Sequence, residues 1–361
     1  MGVSIRRGPW GSGILLGAGR VVTGTVQAEG GRVRVTAALT DAATGRQLWT
    51  RQWNSSASDL LAIQAAASEA LVGELAGRYS GPRARADRPT ADGAGTTSLR
   101  AYELFLLGTK FKPEFAPSLS LAEGYLRQAV EVDRHFARAW SALAGIQGVQ
   151  EARATTKAER DMFEEKRRAY LAGAVAADPD DPGTLIEVAK QAARDHDPEA
   201  TARALRRAVE RAPNDADLLA AVAWSAPEAA PLGPEALGWA ERAMALNPGG
   251  PAWYRTALGV PAFAVGDYAR AAEALASDPS THPDRLLYLA AAEAMLGHAD
   301  RARGAGDRLR ELVPGFDLGF YLDGWPREPG LRSACARARS APASTGRRHP
   351  AERRQSRAPP E

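Results

Sequence analysis

The chain has 361 residues, 45% hydrophobic and 25% charged, and its 46 Lys plus Arg against 43 Asp plus Glu leave a net charge of +3. This supports a sizeable core, and Cys335, the only cysteine, excludes a disulfide framework and a cysteine metal site. No stretch approaches the roughly 20 apolar residues that span a bilayer, and no ordered segment clusters basic residues as a nucleic-acid face requires, so a cytoplasmic protein is expected.

Residues 1–19 read as a ragged N-terminus. Arg6-Arg7 precede an apolar run broken by glycines and Pro9, and a weak signal peptide is the competing reading. Residues 20–80 read as a small α+β domain. Val21 to Val26 is β-rich, and Gly30-Gly31 is a two-residue hairpin signal. Arg32 to Leu39 alternates, with Val33, Val35, Ala37 and Leu39 on one face. Thr44-Gly45 marks a second turn, and Trp49 and Trp53 share a face of a third strand. The pattern predicts a three-stranded antiparallel meander covered by an amphipathic helix over 57–78. Leu60, Leu61, Ile63, Ala67, Ala70, Leu71 and Leu75 line its apolar side, and Ser56 with Asp59 forms a candidate capping box. Residues 81–97, rich in Pro, Gly, Arg and Asp, read as a linker.

Residues 98–316 repeat. Pro179, Pro213 and Pro248 stand 34 and 35 residues apart, each closing an alanine-rich helix. Within each period large and small residues recur in one order. Leu104, Leu107 and Gly108 are followed by Ala122, Leu126, Ala129 and Val130; Leu185, Val188 and Ala189 by Leu205, Ala208 and Val209; Leu219, Val222 and Ala223 by Ala236, Ala240, Ala243 and Met244. A fifth unit carries Leu258-Gly259 and Gly266-Asp267-Tyr268-Ala269-Arg270-Ala271, and a shorter sixth runs from Leu296 to Pro314. This is the pattern of the tetratricopeptide repeat, two helices of which the first and second must cross closely at the small positions. In the second unit the second helix is expected about eleven residues late, after an extended charged turn at Glu159 to Arg168. Asp181-Pro182 and Asp197-Pro198 are helix-start signals. Residues 317–361 read as a C-terminal segment and, from Leu331, a basic disordered tail.

The strand region resembles the TolB-like domain through Gly24-Thr25-Val26, Gly31 to Ala37, Asp41 to Trp49 and Leu60 to Gln64. Ala101 to Gly108 resembles the opening of the repeat array that follows that domain in bacterial signalling proteins. The resemblance implies a mainly α chain, a tetratricopeptide-like α-solenoid of about six units preceded by a partial TolB-like domain. It implies an upstream effector, either a class III adenylate or guanylate cyclase or a winged-helix DNA-binding domain. By that resemblance the effector, and the family's first strand and first helix, are expected to be absent from this sequence. The meander is therefore expected to expose part of its apolar face or an unpaired edge, and residues 1–80 alone to aggregate or remain partly unfolded.

No catalytic set emerges. His135, His196, His282, His298 and His349 are scattered, and Asp178, Asp180 and Asp181 sit at a helix start, where carboxylates satisfy free N–H groups. Gly11-Ser12-Gly13 lacks the strand before and helix after that a dinucleotide loop needs. A non-enzymatic scaffold is expected, with no cofactor, no specific nucleic acid and no membrane span in the chain. Its partner is expected to be a protein, a peptide or a second copy. The alternative is the regulatory C-terminal part of a nucleotide cyclase. Counting along the first helices places Phe105, Thr109, Lys112, Ser141, Gly145, Lys190, Arg194, Trp224, Thr256, Val260 and Phe263 on a concave face. Phe105, Trp224 and Phe263 with Lys112, Lys190 and Arg194 would hold an extended or acidic peptide. The competing reading packs the three aromatics between neighbouring repeats.

Overall fold

The computed structural model describes residues 18–56, 59–78, 95–110, 116–226, 232–314, 316, 318–319 and 329–340. The candidate leader, most of the linker, Lys112 and the arginine pairs at 347–348 and 353–354 lie outside those residues.

Three strands, β1 (Arg20–Glu29), β2 (Arg32–Asp41) and β3 (Gln47–Ser56), form an antiparallel meander in the order β1-β2-β3. Gly30 (φ 56°) and Gly31 (φ 77°) make the first hairpin, a conformation that side-chain-bearing residues resist. At the second turn the Asp41 carboxylate accepts from the Thr44 N–H (2.9 Å) and hydroxyl (2.8 Å), which holds its pKa below the ordinary carboxylate value. Register places Val22, Leu39 and Trp49 in one row and Val26, Val35 and Trp53 in another. Helix α1 (Leu60–Arg78) packs against β3 and the adjoining part of β2, and Ile63, Val33, Ala37 and Leu39 are buried. The helix begins at Leu60 rather than at 57. The expected capping box takes another form: the hydroxyls of Ser55 (2.8 Å) and Ser56 (2.7 Å) both donate to the Asp59 carboxylate ahead of the helix.

The chain divides into two compact units, residues 1–149 with 162–187, and residues 150–161 with 188–361. The helices are α2 (Leu99–Lys110), α3 (Ala116–Val132), α4 (Ala137–Arg153), α5 (Lys157–Ala177), α6 (Pro182–Arg194), α7 (Pro198–Arg211) and α8 (Ala216–Ser225). They continue with α9 (Gly233–Leu246), α10 (Tyr254–Ala264), α11 (Tyr268–Ser277), α12 (Pro283–Met295), α13 (Ala299–Leu312) and α14 (Pro329–Ser340).

In the first unit α2 pairs with α3. Gly108 is the close crossing: a β-carbon there would stand 2.6 Å from Leu126 Cγ and 3.2 Å from the Ala122 carbonyl. Leu104, Leu126, Ala129, Phe136 and Leu143 form the core around it. Gly173 of α5 meets the Trp140 indole of α4 in the same way, at 2.7 Å. The charged stretch expected as a turn is instead the body of α5. Thr156 and Glu159 cap it reciprocally: the Glu159 N–H donates to the Thr156 hydroxyl (3.2 Å) and the Thr156 N–H to the Glu159 carboxylate (3.2 Å). Charge alone does not break a helix, and pairs such as Glu164–Arg168 (2.7 Å) support this one.

In the second unit α8–α9, α10–α11 and α12–α13 are antiparallel pairs of successive repeats. Asp197, Asp215 and Asp267 cap α7, α8 and α11, each accepting the N–H three residues on. Three of the turns within repeats share one left-handed position, filled by Gly266 (φ 84°), Gly297 (φ 78°) and, without a glycine, His196 (φ 58°). Gly259 is the close crossing of α10 with α11. Arg206–Glu235 (2.7 Å) and Arg270–Glu241 (2.6 Å) link successive second helices at the surface.

The disordered tail expected from Leu331 is corrected for residues 331–340, which belong to α14. Leu331, Ala334 and Cys335, spaced i, i+3, i+4, are buried on α12 in a core with Phe263, Tyr288 and Leu309. Composition misleads here because three apolar residues on one face are enough when the last repeat leaves its own apolar side to cover.

Candidate functional site

The expected surface follows the first helix of each repeat, and the structure sorts its residues into three groups. In the first unit Phe105 is half-buried against the core, its ring 5.1 Å from Phe136 and 6.4 Å from Tyr102. Thr109, one turn on, is exposed, and its hydroxyl donates to the Phe105 carbonyl (3.0 Å). Ser141 is buried and donates to the Arg138 carbonyl (3.1 Å), and a β-carbon on Gly145 would stand 3.5 Å from Glu187 Oε1.

In the second unit the cation expected at Arg194 is already engaged. Its Nε and Nη2 reach the two Glu151 carboxylate oxygens at 3.3 Å each, and Nη1 donates to the Lys190 carbonyl (3.0 Å). The side chains of Arg194 and Glu151 are only 6% and 4% exposed. A buried pair of this kind orders its own helices rather than attracting an acidic ligand, so Arg194 leaves the set of groove cations. Lys190 is half-buried beside it.

Thr256, Val260 and Phe263 are corrected as well. Helix α10 is apolar around most of its circumference and packs against α8, α9, α11 and α12, so a face open by repeat counting is closed. Phe263, 3% exposed, stands edge-on to Tyr288 at 5.4 Å and lies 5.3 Å from Tyr268. This is the competing reading, aromatics between repeats. Thr256 donates to buried Asp278 (2.5 Å), which also accepts from the Ser280 N–H (2.8 Å). Arg285 donates to the carbonyls of Leu275 (2.9 Å) and Ser280 (3.0 Å), and burial lowers its pKa while Asp278 opposes the shift. This network satisfies the backbone of the irregular 278–282 connection.

Trp224 is different. It is half-buried near the C-terminal end of α8, 6.3 Å from the Trp253 ring and 4.7 Å edge-on to the His282 ring. Trp253 immediately precedes α10, and His282 caps α12, its Nδ1 accepting the Asp284 N–H (3.2 Å). Both are also half-buried. Three successive repeats thus contribute one ring each to a partly exposed aromatic patch. Beside it Tyr254 packs edge-on to Trp253 at 4.8 Å and donates to Asp217 (2.5 Å); burial and that carboxylate push its phenol up to about 12. Counting along the helices misses Trp253 and His282 because both stand at helix entries. The usable signal was an aromatic or histidine directly ahead of a first helix.

Rings half-open at contact distance suit apolar, proline or cationic side chains of a peptide, with no proton-transfer chain between them. Among the described residues no three His, Cys, Asp or Glu side chains converge to hold a metal ion, and no helix is long and apolar enough to cross a membrane.

No protein-family model and no curated protein match the sequence. Among solved structures, the chain is similar to the crystal structure of the APC/C hetero-tetramer Cut9-Hcn1, with a TM-score of 0.45 and 13% identity over 78% of this chain and 56% of that one. It is also similar to YrrB, described as a TPR protein with an unusual peptide-binding site, with a TM-score of 0.27 and 13% identity over 70% of this chain and 96% of that one. The repeat assignment stands on the chain's own helix pairs.

Proposed function

We propose that this chain is a non-enzymatic protein-interaction scaffold of the cytoplasm, and that Trp224, Trp253 and His282 take an extended peptide bearing proline, aromatic or basic side chains. The observation that supports it is the patch itself: apart from Trp224, the large apolar side chains of α8, α10 and α12 lie in or against the core, yet each of the three repeats keeps one ring partly open at the same place. The test is a displayed-peptide selection on the intact chain, repeated on Trp224→Ala/Trp253→Ala. Peptides enriched on the native chain should lose at least tenfold in affinity on the variant, about 1.4 kcal/mol. Peptides that bind both equally would place the docking surface elsewhere.

A signalling context is the finer reading. The pairing of a three-stranded meander with helical repeats, and the resemblance of that meander to the TolB-like domain, support a regulatory part of an adenylate or guanylate cyclase. Adding the chain to a candidate cyclase domain should change its rate of cyclic-nucleotide production, and an unchanged rate with no complex would remove that reading.

A further inference from the structure

Among the described residues the meander has one guarded edge and one bare one. Strand β3 carries Arg51 at its middle, over the Trp53 ring at 5.6 Å, and runs on towards α1. Strand β1 has a strand neighbour on one side only among the described residues. Between Arg20 and Glu29 it holds no charge and no proline, only Val, Thr, Gly, Gln and Ala. Edges are ordinarily blunted by charges, prolines or bulges, and β1 has none of these between its ends. Its apolar face is bare too. In the row where Leu39 is 1% exposed Val22 is 48% exposed, and in the row of Val35 and Trp53 Val26 is 67% exposed, because α1 lies over β2 and β3 and stops short of β1.

The centre of β1 reads the same in both directions: Val22-Thr23-Gly24-Thr25-Val26. We propose that β1 pairs antiparallel with β1 of a second copy of this chain, about a two-fold axis at Gly24, joining two meanders into one six-stranded sheet. Two features select that occupant and that register. Direct pairs then sum to twice 24, so Val22 faces Val26 of the other copy, and Thr23 faces Thr25. Each apolar row runs unbroken as Trp49, Leu39, Val22, then the other copy's Val26, Val35 and Trp53. A slip of one residue would set each apolar face against a polar one, and a slip of two would break both Val–Val pairs. Because the β3 edge is guarded, the assembly closes at two copies. A two-strand seam is small beside the roughly 1,200–2,000 Å² of a standard interface, so the dimer should exchange with monomer. The inference is independent of the aromatic patch.

The test is light scattering and sedimentation of the full chain over roughly 1–100 μM, with a register test in a Cys335→Ala background. In the proposed register position 22 of one copy lies directly opposite position 26 of the other, whereas within one strand the two positions are about 13 Å apart, too far for a disulfide. The double variant Val22→Cys/Val26→Cys should therefore form a covalent dimer on mild oxidation, and either single variant should not. Val26→Lys, on the exposed face, should weaken the dimer about tenfold or more. A monomer throughout the range overturns the proposal. So do open-ended oligomers, or single variants that cross-link as well as the double. A full chain that is monomeric, but dimerises once residues 1–17 are removed, overturns it in favour of the chain's own N-terminal segment as the occupant.

Discussion

In the fifth repeat the backbone of Gly259 lies so close to Leu275 that a β-carbon would stand 2.5 Å from Leu275 Cγ, 2.9 Å from its Cδ2 and 3.2 Å from the Ala271 carbonyl. Gly108 repeats the relationship with Leu126 and Ala122 in the first repeat. The pair of helices approaches as closely as it does because the first carries hydrogen where other residues carry carbon. Gly259→Ala should overpack the α10–α11 crossing and destabilise the second unit by about 1–3 kcal/mol, read as a lower melting temperature. An unchanged melt would mean the crossing relaxes freely.

His196 occupies the left-handed position that Gly266 and Gly297 fill in the later repeats. A side chain there is strained, so His196→Gly should stabilise by about 1 kcal/mol. Its neighbour Asp197 accepts the Ala200 N–H at 2.8 Å, and Asp197→Ala should cost about 1 kcal/mol. Denaturant midpoints of the two variants should move in opposite directions.

Asp181 caps α6 through the Thr184 N–H (2.9 Å), yet burial raises its pKa above the usual value, and the hydrogen bonds to Thr184 only partly offset this. A raised carboxylate pKa means the folded chain holds its proton more tightly than the unfolded chain. That contribution is fully present below the unfolded pKa and is lost as pH rises through the folded one. Asp181→Asn keeps an acceptor without the buried charge and should equal or exceed the native stability at pH 7. Asp181→Ala should lose about 1 kcal/mol. If Asn proves as harmful as Ala, the charge itself is needed.

Removing one member of the Glu151–Arg194 pair should be far worse than removing both. Arg194→Met leaves a buried carboxylate and should cost about 3–5 kcal/mol, whereas Glu151→Met/Arg194→Met should be nearly neutral. A double-variant loss equal to the sum of the Arg194→Met and Glu151→Met losses would show the pair to be uncoupled.

Much of the fold was legible because its signals are local. Gly30-Gly31, Thr44-Gly45 and the alternation from Arg32 to Leu39 set a meander, and the caps at Asp181, Asp197 and Asp267 need only nearby N–H groups. The Thr156–Glu159 capping box was equally local and was obscured only by the charges that follow it. The candidate site was less legible. Repeat counting picked out Trp224, but Trp253 and His282 reach it from helix entries, and no spacing along one helix relates the three.

The sequence by itself determined the period of the repeats, the starts of helices capped at Asp181 and Asp197, and which small residues stand at the crossings. Those follow from backbone hydrogen bonding and from side-chain volume within one helix pair. Only the tertiary structure decided which faces stay open. Repeat counting treats every first helix alike, but α8, α9, α11 and α12 together enclose α10 and take Thr256, Val260 and Phe263 into the core. Likewise, Leu331, Ala334 and Cys335 form a helix because the last repeat offers them an apolar surface. Exposure depends on what a residue's neighbours cover, and those neighbours lie tens of residues away in the chain.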